Sequence, residues 1–166
     1  CGVLAAQERG RSQDLVLDAD ALTFNRQTNL FEARRPRIVQ GNIRIEADES
    51  VADGVDFGHA SEWRFKGHVK ITVDATVLQA DSAVFEFDQE QLARADLEGA
   101  PASFTNRESN QESPVHGGAR KLVYDHVART LRLSGDAQIT KEKYAIQGCD
   151  LIYDFKVERW SSGSED

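Results

Sequence analysis

The sequence predicts an all-β fold in which long, bent strands form two facing sheets, as in a β-sandwich or jelly roll. Two observations support this prediction. Apolar and polar residues alternate with a period of two, which is typical of strands with one buried and one wet face. One pattern also occurs twice, first as GHVKITVDATVLQADSAVFEFD (Gly67–Asp88) and then as GDAQITKEKYAIQGCDLIYDF (Gly135–Phe155).

A small residue precedes an aromatic ring by five positions in each copy and at two further places. The four pairs are Ala19 and Phe24, Ala80 and Phe85, Ala119 and Tyr124, and Gly148 and Tyr153. Residues five apart in a straight strand face opposite sides of a sheet. Each strand must therefore bend at the small residue or carry a β-bulge there. Asp20 and Asp81 follow the small residue and are expected to hydrogen-bond their own backbone at the kink.

The same alternation gives the element boundaries. Strands are predicted at Leu15–Phe24, Leu30–Ala33, Arg37–Ala47, Trp63–Val73, Thr76–Phe87, Ala93–Leu97, Ala102–Phe104, Leu122–Tyr124, Thr130–Leu133, Ala137–Thr140, Tyr144–Gln147 and Leu151–Val157. A turn or hairpin is expected within Asp88–Pro101, and a polar loop over Asn106–Gly118. Residues 1–13 are predicted to be a lead-in, 14–160 one β-domain and 161–166 a disordered tail.

Composition limits the classes of function. The chain has 166 residues, a net charge of −8 and 40% hydrophobic residues, which is typical of a soluble globular protein. The acidic balance argues against a nucleic-acid-coating surface. No apolar run approaches the roughly 18 residues of a membrane-spanning helix.

The first residues indicate export in two alternative ways. Cys1 is either the lipidated first residue of a lipoprotein, or CGVLAA is the end of a signal peptide cleaved after Ala6. Cys1 and Cys149 are too few for a disulfide scaffold.

No catalytic or metal site is predicted. The four histidines, His59, His68, His116 and His126, lack metal-binding spacing. Asp20, Asp48 and Asp81 each follow an alanine in a repeated pattern, so a geometric role is favoured over acid–base chemistry. No serine lies in a nucleophile motif and no glycine-rich loop precedes a helix. We therefore expect a protein that is not an enzyme and needs no cofactor.

The apolar faces allow two interpretations. Val69, Ile71, Phe85, Phe104 and Leu133 are among the residues that would point inward in a sandwich. They could form a closed, packed core, or they could line a groove that admits an aliphatic ligand. The periodicity does not separate these alternatives.

The order of several motifs resembles the OstA/LptA family of periplasmic lipopolysaccharide transport proteins. The motifs are RPRIVQGNIRIEADES, the first repeat, GAPASF, HGGARKLVYD and the run from LRLSGDAQIT to IQGCDLIYD, spread over residues 15–160. The resemblance implies a twisted β-jelly roll without enzymatic activity, whose interior binds lipid A acyl chains. It also implies end-to-end strand pairing between copies and with LptC-like and LptD-like partners, which would bridge the two membranes.

The resemblance, together with the inward-facing pattern, gives an expected lipid-binding set. It comprises Leu15, Leu17, Leu22, Phe24, Val69, Ile71, Phe85, Phe87, Phe104, Tyr124 and Leu133. His126 departs from the family, because it replaces an apolar residue. Phosphates and sugars would remain at the rim, near cations such as Arg44, Lys66 and Lys70.

Two further departures bear on the role of the protein. The segment Asn25–Phe65 is long, as though a strand pair were inserted, and fits a protein between the LptA and LptC types. Many members continue with a further strand, whereas this chain ends soon after Trp160. The loss of that strand argues against oligomerisation through the C-terminal end. The alternative function is an envelope assembly module that pairs edge to edge without carrying lipid.

Overall fold

One antiparallel sheet, folded over on itself, accounts for the described residues. The computed structural model describes residues 15–53, 61–89, 91–107, 114–157 and 159–162. Within them lie 13 strands: β1 (Val16–Asp18), β2 (Ala21–Asn25), β3 (Leu30–Arg34), β4 (Arg37–Gln40), β5 (Ile43–Glu46), β6 (Glu49–Asp53), β7 (Ser61–Val73), β8 (Thr76–Asp88), β9 (Gln91–Asn106), β10 (Val115–Asp125), β11 (Thr130–Lys141), β12 (Tyr144–Asp154) and β13 (Arg159–Ser162). Over these same residues, no helix has the length and apolar character needed to span a membrane.

Strand β7 is the point at which the sheet divides into two layers. Its second half pairs with β5, and the sheet continues through β4 to the edge strand β1. Its first half pairs with β6, and the sheet continues through β3 to the edge strand β2. We call these layer one and layer two. The long strands β7–β12 cross both layers, and β13 extends layer two beyond the second half of β12.

A line of β-bulges across the long strands separates the two layers. On β7, Gly67 and His68 lie opposite a single residue of β8, Asp81. On β11, Gly135 and its neighbour lie opposite Cys149 of β12 in the same way. Register shifts on β9 and β10 complete the line. Register shifts therefore occur beside Ala80, Ala119 and Gly148, as the bulge alternative predicted. Beside Ala80 and Gly148, the two residues of the bulge lie on the neighbouring strand and begin with the glycine that opens a repeat. At Ala19 the chain passes from β1 to β2 instead.

Backbone geometry explains the glycine at the β7 bulge. Gly67 has a φ of +82°, and its equivalent Gly135 has a φ of +84°. A Cβ at Gly67 would lie 2.5 Å from Asp48 Oδ2. Asp48 donates its backbone N–H to the Gly67 carbonyl at 2.9 Å, and its carboxylate lies 2.8 Å from His68 Nδ1. That hydrogen bond raises the pKa of His68.

The inner faces of both layers are rows of residues in register across the whole sheet. In layer one the row is Leu17, Ile38, Ile45, Ile71, Leu78, Phe104, Gly117, Ile139 and Ile146. In layer two the row that runs from one edge strand to the other is Phe24, Phe31, Ala52, Trp63, Phe85, Ala95, Tyr124, Leu131, Tyr153 and Trp160. The middle members of both rows are buried, so the hydrophobic effect holds the layers together.

Several predicted boundaries were wrong. The predicted strand Leu15–Phe24 is two strands, β1 in layer one and β2 in layer two, because the chain crosses between the layers there. A turn at Gly41 divides Arg37–Ala47 into β4 and β5. Strands β6 and β13 were not predicted, and β13 runs two residues into the predicted tail.

Two segments predicted to interrupt strands lie partly within them. After a turn at Gln89, β9 runs unbroken through Gly99–Pro101, where the ladder only shifts register. Strand β10 begins at Val115, inside the predicted loop. The carboxylate of Asp20 accepts a hydrogen bond from the Arg37 side chain, and that of Asp48 contacts the His68 ring. Bonds to their own backbone were expected for Asp20 and Asp81. The lead-in and Cys1 lie outside the described residues.

Replacing Gly67 with alanine tests the bulge. We expect the free energy of unfolding to fall by about 1–3 kcal/mol, because alanine is strained at positive φ and its Cβ would displace Asp48. Gly148→Ala is the control, since the nearest atom to a Cβ there is the end of the Leu151 side chain at 3.3 Å, and alanine occupies this position in the other repeat as Ala80. Urea denaturation of both variants measures the difference. Equal losses in the two variants would contradict the bulge explanation.

Candidate functional site

The eleven predicted site residues all lie on the inner faces or their edges. Seven are buried: Val69, Ile71, Phe85, Phe87, Phe104, Tyr124 and Leu133. Leu15 and Leu17 are half-buried and pack against the core from β1 and the residue before it. Leu22 and Phe24 are exposed on β2. The predicted set therefore forms one continuous apolar surface whose exposure increases toward the N-terminal edges.

The middle of the interior is a packed core in this structure. The Phe65 and Phe85 rings lie 4.7 Å apart, and the Trp63 ring lies 5.2 Å from that of Phe31. The Phe104 ring covers Gly117, where a Cβ would lie 2.3 Å from the Phe104 ring. The centre of the molecule is thus a closed, packed core, whereas apolar side chains are exposed at its ends.

The N-terminal end of the interior is open. Leu22 is 52% exposed and Phe24 is 43% exposed. In the register of the sheet they continue the inner rows beyond the buried Ala33 and Phe31. Side chains of this type and direction would be buried if a ligand or another chain extended the interior.

The C-terminal end combines an exposed edge and an aromatic cap. In layer one, Tyr144 is 73% exposed and Ile146 is 43% exposed on the free first half of β12. In layer two, Trp160 of β13 lies 4.1 Å from the Tyr153 ring and 5.9 Å from the Phe104 ring. Trp160 therefore joins the two layers at this end, because Phe104 belongs to the inner row of layer one.

A polar contact closes the side of the molecule opposite the bulges. There the β7–β8 turn of layer one meets the β10–β11 turn of layer two, and we call this contact the mouth. Arg129 Nη2 lies 3.9 Å from Asp74 Oδ2, and Asn42 donates a hydrogen bond to Asp74 Oδ1. His126 Nδ1 lies 3.1 Å from the Tyr124 hydroxyl, at the margin of the apolar interior.

Burial and the Arg129 charge set the electrostatics of the mouth. Burial, with a smaller contribution from Arg129, lowers the pKa of His126. Burial raises the pKa of the Tyr124 hydroxyl. Both groups are therefore neutral at pH 7, and Arg129 supplies the positive charge beside the interior.

The cations predicted for the rim lie elsewhere. Arg44, Lys66 and Lys70 are exposed on outer faces of the sheet, because each is next to an inward-facing residue in its strand. Lys66 borders a groove of about 420 Å³ on the outer face of layer two. Sequence reasoning missed Arg129, since its position depends on two turns that are distant in sequence.

Other polar residues have local structural partners. His116 Nδ1 lies 3.3 Å from the Thr105 hydroxyl. Cys149, by contrast, is an exposed free thiol. Arg132 forms an ion pair with Asp150, whose pKa it lowers. Within the described ranges, no group of three His, Cys, Asp or Glu residues could hold a metal ion. His59 lies outside those ranges.

Comparisons with known proteins identify the fold and the family. A family model described as the LptA/(LptD N-terminal domain) LPS transport protein matches residues 52–159. The structure resembles that of LptH, the LptA-homologous periplasmic component of the lipopolysaccharide transport device of Pseudomonas aeruginosa. The two share a TM-score of 0.59 and 12% sequence identity over 92% of this chain and 84% of LptH. No curated protein matches.

The predictions of an OstA/LptA-type β-jelly roll and of a non-enzymatic protein are thereby confirmed, because the family consists of transport proteins. The family match spans well over half of the sequence. The chain therefore belongs to the LptA and LptD N-terminal domain family of lipopolysaccharide transport proteins.

Proposed function

We propose that this protein binds the acyl chains of lipopolysaccharide and passes them across the periplasm, between the inner- and outer-membrane parts of the export machinery. The observation that supports this most directly is the open N-terminal end. There Leu22 and Phe24 carry the inner apolar face beyond its buried part into water.

Acyl chains suit this surface on energetic grounds. Each methylene group removed from water contributes about 0.8 kcal/mol. The free energy of binding becomes more favourable still when the same contact removes the exposed Leu22 and Phe24 side chains from water. A carrier must also release its ligand, and an interior whose centre is already filled by its own side chains holds the ligand less tightly than an empty cavity would.

Protein partners would attach at the ends of the sheet. Among the strands that the structure describes, β1 and β2 are free edges at the N-terminal end, and the first half of β12 and β13 are free edges at the other. Free edges present unpaired backbone groups and recruit strands from other chains. We propose LptC-like and LptD-like proteins, and further copies of this chain arranged head to tail, as these partners.

One observation favours the alternative function, an assembly module that pairs edge to edge without lipid. The buried centre, with Phe65, Phe85 and Leu97 packed together, needs no ligand to be stable. The two proposals differ in whether the exposed apolar end contacts acyl chains.

The double variant Leu22→Asp, Phe24→Asp tests acyl-chain binding. Two carboxylates on the exposed inner face should weaken binding of lipopolysaccharide at least 10-fold, because covering them with acyl chains would remove charged groups from water without a partner. Both side chains are exposed, so the unfolding free energy should change by less than about 1 kcal/mol. Displacement of a fluorescent fatty-acyl probe measures binding, and thermal unfolding measures stability.

Val157→Asp is the matched control, since Val157 is an exposed apolar residue in the β12–β13 turn, outside the inner rows. It should bind as the unaltered protein does. If the double variant folds and binds lipopolysaccharide normally, the N-terminal end is not the acyl-chain site. A protein that binds no lipid in any form would favour the assembly module.

Proline substitutions in β1 test edge pairing. Successive backbone N–H groups of an edge strand point alternately toward the neighbouring strand and into solvent. Of Val16→Pro and Leu17→Pro, one should therefore remove an N–H that faces a partner, and the other an N–H that bonds to β4. We expect the variant that loses the partner-facing N–H to capture an LptC-like partner several-fold less at unchanged stability. The variant that loses the N–H bonded to β4 should be less stable.

Pull-down assays with both purified variants, read against their thermal unfolding, separate these effects. Capture of the partner at the unaltered level by both folded variants would rule out pairing through β1.

A further inference from the structure

Arg129 occupies a backbone position that does not suit an arginine. Three turns at the layer-two end have the same hydrogen bonds, in which Asn25, Asp125 or Asp154 accepts two backbone N–H groups. Four residues after Asn25, Asn29 has a φ of 58°, and four residues after Asp125, Arg129 has a φ of 59°. Asparagine tolerates this left-handed conformation, whereas long side chains adopt it rarely. Arg35, Gln89 and Glu142 also have positive φ, so the role of Arg129 follows from the contacts of its side chain and not from its backbone conformation alone.

The guanidinium group of Arg129 is incompletely satisfied. Its Nε is buried without a hydrogen-bond partner, and its Nη2 is 3.9 Å from Asp74 Oδ2, which is an ion pair beyond hydrogen-bond distance. By contrast, Arg37 and Arg120 donate hydrogen bonds to aspartates at 3.1–3.3 Å and 2.5–3.1 Å. The Arg129 side chain as a whole is 41% exposed, so an anion can reach the guanidinium group, and the unpartnered Nε donor fits such an anion.

The surroundings of Arg129 specify the kind of anion. Tyr124, which belongs to the inner row, lies beside His126 and 6.1 Å from the Phe155 ring, so the apolar interior begins next to the guanidinium group. Asp125 is engaged in capping the turn, and Asp74 is the acidic group that faces Arg129 from layer one. A cation at the margin of an apolar interior matches an amphiphile with an anionic head and aliphatic chains.

We infer that Arg129 binds a phosphate group of the lipid that enters the interior, and that this phosphate replaces Asp74 as the counter-ion of Arg129. The inference rests on the proposed lipid-carrier function and assigns the headgroup contact to the mouth. Phosphate accepts the Nε and Nη hydrogen bonds together, as a forked guanidinium group prefers. Displacement of Asp74 also breaks the ion pair between the β7–β8 and β10–β11 turns, so headgroup binding and opening of the mouth occur together.

Binding of two lipids to an Arg129→Gln variant tests the inference. The probes are phosphorylated lipid A and the same lipid with its phosphates removed. Loss of a charge-assisted bidentate contact should weaken binding of the phosphorylated lipid about 10- to 100-fold. Binding of the dephosphorylated lipid should not change. Asp74→Asn, which removes the competing carboxylate, should strengthen binding of the phosphorylated lipid several-fold.

Arg120→Gln is the matched control, because Arg120 is an exposed arginine paired with Asp136 at the bulge line, away from the mouth. It should bind both lipids as the unaltered protein does. Circular dichroism and thermal unfolding establish that each variant is folded. If Arg129→Gln is unfolded, Arg129→Lys, which keeps the charge and loses the fork, should show a smaller loss confined to the phosphorylated lipid.

Two results would overturn the inference while leaving the carrier function intact. One is an equal effect of Arg129→Gln on both lipids, and the other is no effect on either. Inorganic phosphate provides the third arm. If it binds the unaltered protein as tightly as phosphorylated lipid A does, the mouth is a site for free phosphate. Failure of the unaltered protein to bind either lipid would refute the proposed function, and this inference with it.

Discussion

All six long strands change register along one line, and the two-layer architecture depends on this alignment of β-bulges. A sheet without it would remain a single layer with one apolar face in water. The bulges also fix the pairing of the strands. A slip of two residues keeps every side chain on its own face, so hydrophobic patterning does not oppose it. Such a slip would, however, move Gly67 away from Asp81. The bulge of one strand would then lie opposite regularly paired residues of the next strand.

Once the layers are folded together, the interior has three kinds of boundary. The bulge line closes one side covalently, because the strands run through it. The mouth closes the opposite side with the ion pair of Arg129 and Asp74, which is far weaker than a continuous strand. The ends are bounded by edge strands: the N-terminal end is open, and Trp160 packs over the other end. Exposed apolar side chains lie at the ends and the Arg129 charge lies at the mouth, which is the arrangement that the proposed binding of an amphiphile requires.

The sequence was sufficient to predict the class of fold, the repeats and the inner-face position of the residues expected to bind lipid, because these follow from local periodicity. It was insufficient where the interior imposes its own requirements. On β6 the inner face carries Ser50 and Ala52 while Val51 points outward, which inverts the usual pattern and hides the strand. The glycines near the start of β10 indicate a loop, yet Gly117 is needed because the Phe104 ring lies over it. Neither requirement can be seen without the neighbouring strand.

The division of the sheet at β7 has a consequence for attachment. Because each layer ends in its own edge strand, the N-terminal end has two edge strands, β1 and β2. A partner that is divided in the same way would bind bivalently under the proposed function. Once one edge had paired, the second would meet its strand at high effective concentration, and two weak strand additions would act as one strong contact. Such a joint would resist rotation as well as separation, and it would be released stepwise, one edge at a time.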